Sequence, residues 1–288
     1  MLRSRSLAPP LRFLLAAPAI LLAIGGLRPL VAPPPVQYAA LALAVAGIGV
    51  AAWRLAGPAL RSGELARRAA GASGLLFALV LGAIGLFAAL GPPQSSSHAE
   101  NQLRYPLILL AALVFAAACG MLARALGAAG ECFHTTLGLA AALLAAPLYA
   151  VFAAMQFVEY RSLAASGAGT VAPEVAMLDA VSLVLLLFGT LLNHLAAAAF
   201  ARSLAAAGWL GRRGGRVFTG VSLTAAACAA ARTAEALASP NAPLWGFEHA
   251  WAAPGFLLAI PAVPWLMPCL LGVVAMRKTG DRGAAAGA

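Results

Sequence analysis

The sequence predicts an all-α protein, a single bundle of about eight helices that cross a membrane. Three observations predict it: an apolar composition, apolar runs of spanning length, and a one-sided distribution of arginine. Hydrophobic residues make up 62% of the 288-residue chain and charged residues only 10%, with a mean hydropathy of +0.91. A soluble domain averages about 25% charged residues, so the remaining apolar surface must be covered by lipid. The same composition excludes intrinsic disorder, which requires low hydrophobicity.

Eight apolar runs have about the length that a spanning helix needs, roughly 17–25 residues. Loop chemistry separates them, as in the proline run 33–35 and the glycine-rich segment 211–215. Glycine and alanine occur throughout the runs, which allows close helix packing in lipid. The whole chain, 1–288, is predicted to be one membrane domain with spans at approximately 12–27, 37–54, 72–91, 105–126, 135–158, 178–201, 217–237 and 255–276.

Lysine and arginine fall mostly on one side of the predicted membrane. With an inside N-terminus, the inside segments carry 15 of the 19, and the outside segments carry Arg28, Arg104, Arg161 and Arg232. Because cytoplasmic segments are enriched in these residues, both termini are predicted to be cytoplasmic and the location to be a plasma (inner) membrane. The same distribution accounts for the net charge of +10. Nucleic acid is not an expected partner, because the basic residues form no single patch with interleaved aromatics.

The first run also fits a second interpretation. A basic start followed by an apolar stretch is typical of a secretory signal. No convincing Ala-x-Ala site followed by a polar segment is present, so we interpret the run as the first span. Cleavage would leave seven spans, and the other helices would keep their orientation.

Two segments, 123–130 and 201–208, share a pattern of arginine, leucine, alanine and a final glycine. Each lies between a span that runs inward and a span that runs outward. The pattern suggests that spans 4–5 and 6–7 are parallel copies of one hairpin, a device that transporters use. Coincidence in an alanine-rich chain is the favoured alternative, because topology alone places the arginine.

Polar side chains inside the predicted spans concentrate in spans 5, 6 and 7. Such groups are costly in lipid and usually face the bundle interior or water. Helical spacing and depth bring five of them to one outward-facing level, where surplus carboxylates could bind a cation or a proton and the arginine an anionic group. The alternative is structural, because span ends are wet, long side chains reach the headgroups, and two of the five have the i,i+3 spacing of a surface pair. The five residues are Gln156, Glu159, Asp179, Arg232 and Glu235.

Histidines are the second candidate site. His134 begins span 5 at its inner side, and His194 lies in the inner half of span 6. Haem b in a helix bundle requires two imidazoles at similar depth on facing helices. A helix-to-helix hydrogen bond from His194 is the alternative, and no cofactor is strongly implied. A weaker metal candidate in the outer loops combines His98, Glu100, Glu248 and His249.

Three prolines predict a kink or a broken stretch in span 8. Pro261, Pro264 and Pro268 each remove a backbone donor and clash with the preceding turn. Membrane proteins tolerate this where protein or a cavity satisfies the freed carbonyl groups.

Two function classes remain. The first is a non-enzymatic membrane protein, either a small-solute or ion transporter or a ligand-binding or interaction component, that uses the pocket between helices 5–7. The second is a membrane-embedded redox (haem) protein or metal-dependent enzyme that uses the histidines. The first is favoured, because polar residues concentrate in three helices and catalytic spacing is missing. The sequence contains no Walker A loop, no His-Glu-x-x-His, no Gly-x-Ser-x-Gly and no paired-aspartate motif. The lipid bilayer is the expected partner, and the sequence leaves open both a homo-oligomer and membership of a membrane complex.

Overall fold

The computed structural model describes residues 9–26, 34–90, 97–166, 173–238 and 263–285. All regular secondary structure in these residues is helical, which confirms the all-α prediction. A 3₁₀ turn at Val263–Trp265 precedes the last helix. The eight described α-helices are α1 (Pro9–Gly26), α2 (Pro34–Leu60), α3 (Leu65–Ala89), α4 (His98–Gly127), α5 (Phe133–Ser166), α6 (Pro173–Ala206), α7 (Arg212–Ala238) and α8 (Leu266–Ala285).

Six of these helices, α2 to α7, are long and apolar enough to cross a membrane, which indicates a membrane location. Large apolar side chains such as Leu43, Leu113 and Val158 are exposed on their outer surfaces, as lipid contact requires. The described parts of the first and eighth predicted spans, 12–26 and 263–276, are also helical, but their apolar stretches are shorter. In α1 the apolar stretch is 9–21, and α8 becomes charged from Arg277 onward.

Consecutive helices from α1 to α7 pack against each other as hairpins. Two helices form centres of packing: α3 contacts α1, α2, α4 and α8, whereas α6 contacts α5, α7 and α8. These two are therefore the most buried spans, and α7, which packs chiefly against α6, is the least buried. We call the end that holds the α2–α3, α4–α5 and α6–α7 turns the arginine-rich end. The opposite end, where α2, α4 and α6 begin, is the arginine-poor end.

The α5–α6 pair follows an antiparallel seven-residue register. Three hydrogen-bonded polar pairs join α5 to α6. The two residue numbers of each pair add up to nearly the same total, as they do when two antiparallel helices keep one register. A seven-residue repeat is the register of left-handed helix pairs, and small residues at the contact let the backbones approach in lipid. The three pairs are Thr135 Oγ1 to Ser203 Oγ at 3.0 Å, Tyr149 OH to Thr190 Oγ1 at 3.2 Å, and Gln156 Nε2 to Ser182 Oγ at 2.9 Å.

The α4–α5 and α6–α7 turns have the same local structure. Gly130 and Gly208 adopt φ of +87° and +69°, a conformation that favours glycine. The Glu131 N–H donates to the Leu126 carbonyl at 3.1 Å, and the Trp209 N–H donates to the Leu204 carbonyl at 2.8 Å. These bonds define a glycine-terminated helix end of the Schellman type. The similarity between 123–130 and 201–208 therefore has a local physical reason, because both segments must stop a helix.

An aromatic cluster fills the centre of the bundle where α3, α4, α5 and the 3₁₀ turn meet. The Trp265 ring lies 5.2 Å from Phe115 and 4.6 Å from Tyr149 between centroids. Phe115 in turn packs edge-to-face on Phe77 at 6.2 Å. The turn therefore inserts a large side chain between helices that are far apart in sequence.

The expected break in span 8 takes the form of this 3₁₀ turn. Pro264 lies inside the turn and Pro268 lies in the first turn of α8. A missing backbone N–H is tolerated in a first turn, because no intrahelical acceptor exists for it there. Pro261 lies outside the described residues.

Packing of α8 on α3 depends on glycine. A Cβ atom added to Gly272 would lie 2.4 Å from the Phe77 Cβ, whereas a Cβ added to Gly120 meets nothing within 4 Å. We expect Gly272→Ala to lower the free energy of unfolding by about 1–3 kcal/mol, because the helices must separate. The check is an SDS-unfolding titration in mild detergent, with Gly120→Ala as the matched control. Equal stability of the two variants would contradict this packing.

Candidate functional site

Buried polar side chains form a layer near the arginine-poor end that runs from α2 through α4 and α5 to α6. At this depth a buried polar group is expensive unless it has partners, so a concentration of them marks a candidate site. Apart from Tyr38, which is more exposed, each member is buried. We call this set the polar layer; it consists of Gln37, Tyr38, Glu100, Asn101, Arg104, Tyr105, Gln156, Glu159 and Ser182.

Glu100 fixes the start of α4 and joins it to α2. Its Oε2 accepts from the Ser97 N–H at 2.6 Å, and the Ser97 Oγ accepts from the Glu100 N–H at 3.3 Å. This reciprocal pair is a capping box, which satisfies two backbone donors of the first turn. The other carboxylate oxygen accepts from the Tyr38 hydroxyl. The Glu100 carboxylate therefore caps the start of α4 and also accepts a hydrogen bond from α2.

Arg104 is the most buried charged residue of the layer, at 2% exposure. Its Nε donates to the Asn101 Oδ1 at 3.1 Å, and its Nη2 donates to the Leu90 carbonyl at 3.2 Å. The guanidinium also lies 5.4 Å from the centre of the Phe87 ring. Leu90 follows the last turn of α3, where helix carbonyls attract a cation. Arg104 therefore holds the end of α3 against the start of α4.

The sequence analysis missed Arg104 by placing it in an outer loop. The structure places it inside α4, whose first residue is His98, seven positions before the predicted start of span 4. A signal was present, because Ser97 and Glu100 have the spacing of a capping box and Asn101 lies three residues before Arg104.

Gln156 is the centre of the second half of the layer. Its Oε1 accepts from the Tyr105 hydroxyl at 3.2 Å. Its Nε2 donates to the Glu159 Oε2 at 2.8 Å and to the Ser182 Oγ at 2.9 Å. The carbonyl oxygen and the amino group of the Gln156 side chain are therefore both hydrogen-bonded, which fixes the orientation of the side chain. Glu159 is 9% exposed, and its carboxylate accepts from Gln156 on the same helix, α5.

Of the five residues of the predicted pocket, the structure brings Gln156 and Glu159 together. Arg232 and Glu235 form an i,i+3 ion pair on α7, and the Glu235 side chain is 55% exposed. No contact among the described residues joins this pair to the polar layer. Asp179 belongs to α6, but its side chain is not among the side chains that the structure describes. The described contacts thus centre the site on α4, α5 and α6.

The two histidines occupy different depths. The His134 Nδ1 lies 3.1 Å from the Glu131 Oε1 at the start of α5. In the α5–α6 register His134 faces residue 204, which is ten residues from His194, or roughly 15 Å along the helix. The structure does not bring these imidazoles to facing positions. His98 lies 2.7 Å from the Gln102 amide through its Nε2, and Glu248 and His249 lie outside the described residues.

His194 lies in a second polar region inside the bundle. It is 2% exposed, and neither ring nitrogen has a hydrogen-bond partner among the described residues. Tyr149 and Thr190, which bond to each other, lie one heptad inward from Gln156 and Ser182. Across the described part of the chain, no group of three or more histidine, cysteine or acidic side chains is placed to hold a metal ion.

The fold and the polar layer define a class: a helical membrane protein with a buried polar site between α4, α5 and α6. Comparisons with known proteins add no family to this class. No protein-family model, no curated protein and no solved structure matches the chain. The functional argument therefore rests on the site itself.

Removal of the Arg104 guanidinium should destabilise the fold. The side chain donates to two buried acceptors, so we expect Arg104→Ala to lower the free energy of unfolding by about 2–4 kcal/mol. Arg124→Ala, at an exposed position in the last turn of α4, is the control and should change it by less than about 0.5 kcal/mol. The same detergent unfolding titration measures both. A similar small effect for both variants would show that Arg104 is not a structural link.

Proposed function

We propose that the protein binds a small cation or cationic solute at the polar layer and transports it across the membrane. The observation that carries this proposal is the buried Glu159 carboxylate, held by Gln156 at the contact of α5 and α6. Ionisable residues at membrane depth are rare because of their cost, and they mark ion and substrate pathways.

The chemistry of the layer favours a positively charged ligand. Around Gln156, the Glu159 carboxylate, the Ser182 hydroxyl and the Tyr105 hydroxyl supply oxygen atoms from three helices. Carboxylate, carbonyl and hydroxyl oxygens suit hard cations and ammonium groups. Loss of one proton or uptake of one cation would change the hydrogen bonds of Gln156 and so couple α4, α5 and α6.

Polar pairs along the α5–α6 contact support transport over binding alone. They occur at the level of Gln156, one heptad inward at Tyr149, and near the arginine-rich end at Thr135. The 21 residues from Thr135 to Gln156 span roughly 32 Å at 1.5 Å per residue, comparable to a hydrocarbon core of about 30 Å. His194, whose ring nitrogens have no partner among the described residues, lies along this interval and can hydrogen-bond to water or to a passing solute.

The positive-inside rule supports an outward-facing site. The polar layer lies at the arginine-poor end, and cytoplasmic loops of membrane proteins carry the excess of arginine. The proposal therefore places both termini in the cytoplasm, the membrane as the plasma membrane, and entry of the ligand from outside.

A haem-binding redox protein is the alternative function, and the unpartnered His194 is the observation that favours it. The absorption spectrum and the native mass of the purified protein distinguish the two functions. A haem-type absorption band with a matching added mass would replace the transport proposal.

Loss of the Glu159 charge should abolish cation binding. We expect one of Na⁺, K⁺, Li⁺ or methylammonium to raise the melting temperature of the wild type in mild detergent. A ligand at about 100 times its dissociation constant stabilises a protein by about 2.7 kcal/mol. The stabilisation should vanish in Glu159→Gln, which keeps the shape of the side chain, and persist in Glu235→Gln, at an exposed site.

The effective cation is then tested for flux into proteoliposomes with the same variants. Stabilisation that survives Glu159→Gln, or the absence of any stabilising cation for the wild type, would refute the proposal. Arg232→Ala determines the extent of the site in the same assay. Unchanged binding confines the site to α4, α5 and α6, whereas lost binding extends it to α7.

A further inference from the structure

Buried polar groups without partners recur along the contact of α6 and α7. Both ring nitrogens of His194 and the hydroxyls of Thr219 and Ser222 are buried and have no hydrogen-bond partner among the described residues. Inside a helix such a hydroxyl can donate to the carbonyl four residues earlier, as Thr233 does to Ala229 at 2.8 Å. Neither Thr219 nor Ser222 does so. An unsatisfied polar group is costly in a dry helix contact, so these groups need another partner.

The three residues lie on two facing stripes. Each stripe follows one helix at offsets of four, three and four residues, which keeps its members on one face. The α6 stripe is His194, Ala198, Ala201 and Ala205, and the α7 stripe is Gly215, Thr219, Ser222 and Ala226. A Cβ atom added to Gly215 would lie 2.5 Å from the Ala205 Cβ, so the stripes meet at the arginine-rich end. Because α7 packs chiefly against α6, the fully buried Ser222 lies within this contact.

The space between these polar groups suits water. Alanine and glycine make up the rest of both stripes, so no long side chain fills it. In the antiparallel register Thr219 and Ser222 are three residues apart and His194 lies four residues beyond Ser222, which correspond to roughly 4.5 and 6 Å along the axis. These separations exceed a direct hydrogen bond. A water molecule bridges them, because it bonds to two to four polar groups.

We propose that bound water fills this contact and links Thr219, Ser222 and His194 in a single file. Hydroxyls and the imidazole each donate and accept hydrogen bonds, so the file is a continuous chain of exchangeable partners. His194 lies one turn beyond Thr190, which bonds to Tyr149. The role of the file rests on the proposed function: it is the inner half of the path that begins at the polar layer.

The file is closed at the arginine-rich end. Gly215 lies one turn beyond Thr219, and its close approach to Ala205 leaves no space for water there. An outward-facing site requires a closed inner half, because a path open at both ends would leak. α7 is the least buried span and packs chiefly against α6. It can therefore move away from Ala205 while the rest of the bundle stays packed.

The first test is X-ray radiolytic labelling of the full chain in mild detergent and heavy-oxygen water, read by mass spectrometry. Radicals form from water at the site, so a buried ring gains heavy oxygen only where water lies beside it. We expect His194 to be labelled and Phe115, which is also buried but packs among aromatic rings, to be spared. Ser222→Ala and Thr219→Val should each lower the His194 label by roughly two- to fivefold, because each removes one partner of the water. Thr224→Val, at an exposed position of the same helix, should leave the label unchanged.

Thermal stability gives a second readout. In a dry contact the Ser222 hydroxyl is only a desolvation cost, so Ser222→Ala would raise the melting temperature. In a hydrated contact the same change removes a water-mediated hydrogen bond, and we expect the melting temperature to fall by roughly 1–4 °C. The melting temperatures also establish that each variant is folded. A His194 label no greater than that of Phe115, or a higher melting temperature of Ser222→Ala, overturns the water file.

The role of the file is tested separately from cation binding. Ser222→Leu fills the space between the stripes and should abolish cation flux into proteoliposomes, while the cation still raises the melting temperature through the polar layer. Thr224→Leu is the matched control and should keep the flux. Unchanged flux in folded Ser222→Leu contradicts the inner path even though the cation binds. Absence of any stabilising cation refutes the proposed function instead, and the His194 label then still decides whether the water file exists.

Discussion

Because α5 and α6 meet through a seven-residue repeat, a shift of either helix by one turn would separate three polar pairs at once. The pair of Gln156 and Ser182 depends on the same register as that of Thr135 and Ser203 at the far end. In lipid these groups have no water to replace a lost partner, so the register is strongly specified. The position of Gln156 then determines where the Glu159 carboxylate and the Tyr105 hydroxyl lie. The orientation of the candidate site thus follows from helix packing along the whole length of α5.

The other half of the polar layer depends on helix ends. Glu100 begins α4 and accepts from Tyr38, whereas Arg104 lies one turn later and binds the carbonyl of Leu90 after the last turn of α3. Helix ends leave backbone groups without intrahelical partners, and these two charges supply partners at a depth where water is scarce. The charges are therefore retained partly because they fasten α2, α3 and α4 together. Tyr105, the next residue, joins this structural half to the acidic half around Gln156.

The sequence was sufficient for features that depend on local spacing. The apolar runs located eight helices, and six of them are long apolar helices in the structure. Gln156 and Glu159 were found together because an i,i+3 pair on one helix needs no knowledge of its neighbours. Arg104 was missed because apolar-run boundaries assign polar residues to loops, whereas a capping box extended α4 beyond its run. The sequence does not determine which helices meet. It therefore left open whether Arg232 pairs with Glu235 on its own helix, as the structure shows, or joins a pocket with α5 and α6.

The two ends of the bundle differ in how deeply their charged residues are buried, and this difference is informative about function. At the arginine-rich end, residues such as Arg68 and Arg124 are exposed, and an exposed charge at a helix end costs little. At the arginine-poor end, Arg104 and Glu159 are buried between helices, where each charge must be offset by partners. Membrane insertion explains the first arrangement but not the second. Capping and fastening explain Arg104, whereas the Glu159 carboxylate accepts from Gln156, which also bonds to α6. The Glu159 carboxylate is the charge on which the proposed cation binding depends.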